Sequence, residues 1–213
     1  MENVVEYLEA KWNKLTGFNK KEDVKDKCWT ELVEHYSRRG RFYHNLKHVA
    51  NLFHLFDEHI SLAENPALIG FAIFYHDIVY DTLRNDNEEQ SALKAQEHLL
   101  QLNFKQSFVD NVGALILATK DHTVDPAYPY QNDMALFLDL DLAVLGEEWQ
   151  DYEYYSSNIR NEFNQYPDPV FNSGRKHALY QLLQKERLYY TSHFQQQFEA
   201  KARQNMQREI SLL

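Results

Sequence analysis

One cysteine, Cys28, stands among 213 residues, so no disulfide can form within the chain, and a reducing cytoplasm fits. Cys28 lies at helical spacing among apolar residues and reads as a small buried hydrophobe. Glycine and proline are scarce, at 6 and 5 residues, which argues against a turn-rich β architecture and for long helices. Positive charge is short as well: 22 Lys and Arg face 32 Asp and Glu, for a net charge of −10. A field of that sign disfavours nucleic acid and anionic membranes as partners. No apolar run approaches the length of a membrane span, and Met1-Glu2-Asn3-Val4 does not read as the start of a signal peptide. The expectation is a cytoplasmic, globular protein with one domain over residues 1–213.

What is present is helical periodicity. Val4, Val5, Leu8, Trp12 and Leu15 share a face and stop at Thr16-Gly17. Val24, Cys28, Leu32 and Tyr36 repeat the pattern up to Arg38-Arg39-Gly40. A third helix carries Val49, Leu52, Phe53 and Phe56, and Asn65-Pro66 ends it and starts a fourth. Asp86-Asn87-Glu88-Glu89 reads as a capping box opening a helix to about Leu100. Further helices are expected from about Ser107 to Lys120, over Met134–Leu145 closed by Gly146, over Trp149–Asn164, over Ser173–Tyr190 and from Ser192 onward. No alternating strand pattern and no repeat appears. The fold expected is all-α, with roughly nine or ten helices.

The chemistry centres on Phe71–Tyr80, an apolar run of helix length with His76 and Asp77 in its middle. A carboxylate buried there costs several kcal/mol unless it has a partner, and a divalent metal is a partner that His and Asp share. In Tyr43-His44-Asn45-Leu46-Lys47-His48 two histidines stand four residues apart, one helical face, with His48 pointing inward and His44 nearer the mouth. Phe137-Leu138-Asp139-Leu140-Asp141-Leu142 again sets acids into an apolar helix and supplies a further carboxylate. Such mixed nitrogen and oxygen ligation suits Mn, Fe, Zn, Ni or Mg. His35, His54, His59, His98, His177 and His193 show no comparable arrangement and read as surface or packing residues. The tyrosines of the last third, from Tyr152 to Tyr190, read as packing rather than as a platform for a nucleobase.

The order His…His-Asp…Asp across three helices resembles the HD-domain superfamily of metal-dependent phosphohydrolases. The likeness is strongest to a bacterial branch of predicted HD phosphohydrolases. Its segments Arg-x-Tyr-His-x-x-x-His, His-Asp-x-Val-Tyr-Asp, Asp-Asn-Glu-x-x-Ser-Ala and Asp-x-Asp-Leu-x-x-Leu-Gly stand here as Arg41–His48, His76–Asp81, Asp86–Ala92 and Asp139–Gly146. The motif-bearing core covers about residues 38–146. The resemblance implies His48, His76, Asp77 and one of Asp139 and Asp141 as metal ligands, with Asp141 preferred and Asp139 orienting a ligand or a helix end. The Tyr-His-Asn-x-x-His segment is also similar to that of cyclic-nucleotide phosphodiesterases, which makes His44 a candidate general acid. The histidine that would serve a second metal there is missing after Asp77; Glu88 and His122 are the residues that could stand in.

The function expected is hydrolysis of a small phosphorylated molecule, such as a nucleotide, by water activated on a divalent metal. His44, Arg41 and Glu88 form the expected catalytic set, while Arg41, Lys47, Lys120 and His122 would hold the phosphate. Two other classes compete. A di-iron oxygenase of HD type would need two more ligands, and a regulatory module would bind metal or nucleotide without turnover.

Overall fold

A computed structural model describes residues 3–213, and these are all-helical, with no strand among them. Ten helices follow in order: α1 Val4–Thr16, α2 Glu22–Tyr36, α3 Leu46–His59, α4 Pro66–Tyr75 and α5 Asn87–Gln101; then α6 Gln106–Ala118, α7 Gln131–Leu142, α8 Trp149–Glu162, α9 Asp168–Gln184 and α10 over 192–212. Short 3-10 turns at Ile60–Leu62 and Ala143–Gly146 follow α3 and α7. None of the helices is long and apolar enough to cross a membrane. Contacts gather the chain into two compact units, Met1–Phe137 and Leu138–Leu213, with the division inside α7 and no linker between them.

The first unit is built around α4. Every residue of α4 from Leu68 to Tyr75 is buried, and α1, α3, α5 and α6 all pack on it. Trp12 of α1 meets Phe71 and Phe74 edge-on, with centroids 6.1 and 5.6 Å apart. Fully burying one such side chain contributes about 1.5–3 kcal/mol, so the apolar sequence of α4 makes it the central helix. Pro66 at its first position presets the backbone. Asp133 of α7, fully buried, accepts the amides of Glu64 (2.7 Å) and Asn65 (2.9 Å) just before it.

Two helix ends differ from the sequence expectation. The apolar run suggested a helix through Tyr80, but α4 stops at Tyr75, with His76 as its C-cap. The α9 helix starts near Asp168, not Ser173, because Pro169 is favourable in a first turn, and it ends at Gln184. The link that follows is held by α10: Glu199 accepts the amides of Leu188 and Tyr189, and Arg203 donates to the carbonyls of Leu183 and Lys185.

Within the second unit, α10 contains a π-helical segment at Gln195–Glu199. There Gly146 touches the backbone of Phe198: a Cβ on Gly146 would lie 2.5 Å from the Phe198 Cβ and 2.8 Å from its carbonyl oxygen. The glycine closing the Asp139–Gly146 segment is thus required by close approach. Tyr152 and Tyr189 are buried with satisfied hydroxyls, donating to Glu209 Oε2 (2.5 Å) and to the Leu142 carbonyl (2.9 Å). Arg175 binds both oxygens of Glu209, at 2.8 and 3.1 Å. Burial works against the Glu209 charge, yet Arg175 and Tyr152 hold its pKa below the ordinary carboxylate value.

Candidate metal centre

The site lies at the C-terminal end of α4, where the chain leaves the helix. His76 and His48 are buried and face each other, Nε2 to Nε2 at 3.1 Å. Asp77 Oδ2 lies 3.1 Å from His76 Nε2, 3.7 Å from His48 Nε2 and 3.9 Å from His44 Nε2. His76 Nδ1 meets the Ile73 carbonyl at 3.0 Å, which fixes the N–H on that nitrogen and leaves the Nε2 lone pair directed at its neighbours. A ligating histidine is usually oriented through its other nitrogen in this way.

The donor set fits a metal ion. A bond of about 2.1 Å from nitrogen or oxygen to metal gives donor-to-donor edges of about 3.0–3.4 Å, tetrahedral or octahedral. Two of the three separations among His48, His76 and Asp77 fall in that range, and the third is slightly wider. The His-His-Asp group that could hold a metal ion is His48 and His76 with Asp141. Burial alone would raise the Asp77 pKa, but the imidazoles of His76, His44 and His48 outweigh it and hold the carboxyl well below its usual range. The carbonyl end of α4 adds negative potential where a cation would sit.

His44 does not share a helical face with His48. Asn45 is the N-cap of α3, its Oδ1 accepting the Lys47 amide at 2.9 Å, so His44 stands before the helix. It reaches the site from that link, packed on the Tyr80 ring with centroids 4.2 Å apart. The chain turns into the link at Gly40, whose φ of +98° favours glycine.

Arg41 binds backbone. Its Nη1 donates to the carbonyls of His44 (2.9 Å) and Asp77 (2.7 Å), and its Nη2 donates to that of Ile78 (2.8 Å). Lys47 is exposed on the first turn of α3. Lys120 is paired with Glu89 at 2.5 Å and donates to the Asn85 carbonyl at 3.0 Å. Glu88 is half-buried in the first turn of α5, and His122 follows α6 with a φ of +47°. Neither belongs to a group of metal-ligating side chains among the described residues.

The two acids of α7 part company. Asp139 is fully buried, and both its oxygens are engaged, accepting the amides of Tyr190 (2.7 Å) and Thr191 (2.8 Å) ahead of α10. Burial pushes its pKa up to about 6 against the pull of those amides. It holds a helix start in the second unit, as Asp133 does in the first. Asp141 stands four residues after Phe137 on the same uninterrupted helix, and Phe137 meets the His76 ring edge-on at 5.9 Å.

The Asp86–Ala92 segment is a brace for the chain beyond Asp77. Ser91, fully buried, accepts the Val79 amide (3.1 Å) and donates to the Val79 carbonyl (3.2 Å). Asn87 makes the same two-way contact with the Asp81 backbone, both at 3.0 Å. Asp86 is the N-cap residue of α5 but does not close a capping box; its carboxylate binds Arg84 and Gln90.

One polar group escaped the sequence reading. His98 of α5 is buried; its Nδ1 lies 3.0 Å from the Tyr75 hydroxyl and its Nε2 3.0 Å from Glu31. The signal was present, because Ser91, Ala95, His98, Leu99 and Leu102 share one helical face and all five are buried. Burial lowers the His98 pKa, and as a neutral ring it donates to Glu31 and accepts from Tyr75.

No family model, characterised protein or solved structure matches the chain.

Proposed function

We propose that the chain is a metal-dependent phosphohydrolase of HD type, acting on a small phosphorylated molecule such as a nucleotide. In this reading His48, His76, Asp77 and Asp141 hold one divalent ion. The observation that carries it is the convergence of His44, His48 and His76 on the half-buried Asp77 carboxylate at the end of an apolar helix. For Asp141 the support is its place one turn after Phe137, the residue packed on His76.

When bound, a divalent ion supplies charge stabilisation at the phosphoryl group and a lowered pKa for water. The residues supply the remainder. His44, on the less buried side of Asp77, would deliver a proton to the leaving oxygen. Lys47, exposed on the first turn of α3, would hold a non-bridging oxygen. With Arg41 bound to carbonyls and Lys120 to Glu89, these two are less available to a phosphate.

Replacing Asp77 with Ala should abolish both bound metal and hydrolysis across a panel of phosphomonoesters, phosphodiesters and nucleotides. Full activity in that variant overturns the proposal. Replacing His44 with Ala should keep the metal and lower the rate by about 100-fold or more, the worth of a general acid. Loss of metal instead would make His44 a ligand.

A further inference from the structure

We infer that Arg41, Tyr36 and Ser91 are positioning residues that fix the direction of the Asp77 carboxylate, an inference that rests on the metal reading above. Beyond the end of a helix the last carbonyls lack intrahelical partners and ordinarily turn to water. After α4, side chains take that role on both sides of Asp77. The Asp77 amide donates to the Tyr36 hydroxyl at 3.3 Å, and the Asp77 carbonyl accepts from Arg41. The Ile78 carbonyl accepts from Arg41 and lies 2.8 Å from His35 Nδ1. Ser91 then holds both polar groups of Val79.

With both flanking peptides held, the Cα–Cβ bond of Asp77 has one direction, and its carboxylate is presented to His76 and His48 without an ordering step on metal binding. Arg41 is suited to this by shape. Its planar fork spans two successive carbonyls and a third from His44, which an ammonium point charge cannot reproduce. The guanidinium is itself seated between the rings of Tyr36 and Tyr80, 5.0 and 5.6 Å from their centroids. Because the same group holds the His44 carbonyl, it ties the candidate acid to the ligand loop. This gives the arginine of the Arg-x-Tyr-His segment and the serine of the Asp-Asn-Glu-x-x-Ser segment a common task, neither of them touching substrate.

The test uses the full chain loaded with Co²⁺, whose visible absorption reports ligand geometry, with affinity measured by chelator competition. Arg41→Lys should fold, bind Co²⁺ about 10–100-fold more weakly, as loss of an orienting partner does, and shift the visible bands. Ser91→Ala and Tyr36→Phe should do the same to a smaller degree, and they decide the matter if Arg41→Lys does not fold. Wild-type affinity and wild-type bands in the folded variants overturn the inference while leaving the metal site standing. Wild-type protein that takes up no Co²⁺ overturns the metal reading and this inference together.

Discussion

Replacing Asp139 with alanine tests whether the two acids of α7 have separate tasks. The carboxylate is fully buried and accepts two backbone amides, at 2.7 and 2.8 Å. A hydrogen bond to a charged group is worth about 1.5–3 kcal/mol, so the two together contribute about 3–6 kcal/mol. Part of this returns on substitution, because the carboxylate no longer has to be buried, a cost visible in its raised pKa. Tyr190 and Thr191 are half-buried, so water can partly replace the lost acceptor. A net loss of about 2–3 kcal/mol remains, or about 4–12 °C in Tm at this chain length. Differential scanning calorimetry reads the stability, and bound metal is measured on the folded variant below its Tm. The expected result is a lowered Tm with metal retained. An unchanged Tm would refute the structural role, and a folded variant that has lost its metal would make Asp139 a ligand.

Further tests address other sites. Gly146→Ala places a Cβ against the Phe198 backbone; overpacking of this kind costs about 1–3 kcal/mol, which urea denaturation would show as a lowered midpoint. Glu209→Gln removes the buried charge that faces the half-buried Arg175 and should cost about 3 kcal/mol by the same assay; a variant as stable as wild type would mean the pair is not formed. His98 has a folded-state pKa below its ordinary 6.5, so the unfolded chain binds more protons and stability falls as pH drops below about 6.5. In His98→Gln the slope of Tm against pH between about 5 and 6.5 should flatten, and an unaltered slope would remove His98 as the cause.

The fold was largely readable because the apolar rows repeat at helical spacing, and Gly17, Gly40 and Pro66 mark breaks between helices. The misplaced ends have a common origin. At Tyr75 the chain leaves the helix where Arg41, Tyr36 and His35 hold its next peptides, and at Gln184 Glu199 and Arg203 hold the link that follows. Those partners are distant in sequence, so local pattern does not reveal them. The inward placement of His48 and His76 was legible for the same reason as the core, since both stand in apolar rows. The engagement of Arg41 with backbone was not, because an arginine inside a motif has the same local pattern whether it meets phosphate or carbonyl. Asp133, buried and holding the chain ahead of α4, carried no signal beyond being an acid in a mixed row.

The early end of α4 has a consequence for engineering. Neighbouring residues in a regular helix diverge by about 100° around the axis and do not face each other. His76, the C-cap, keeps helical φ and ψ, and Asp77 Oδ2 meets its Nε2 at 3.1 Å just where the helix ends. Changes that raise helix propensity just beyond, such as Val79→Ala, would favour another turn and swing the Asp77 carboxylate away from His76. Selection for heat resistance alone would therefore tend to erode the candidate site: a straighter α4 gives a sturdier molecule whose His76 and Asp77 are turned apart.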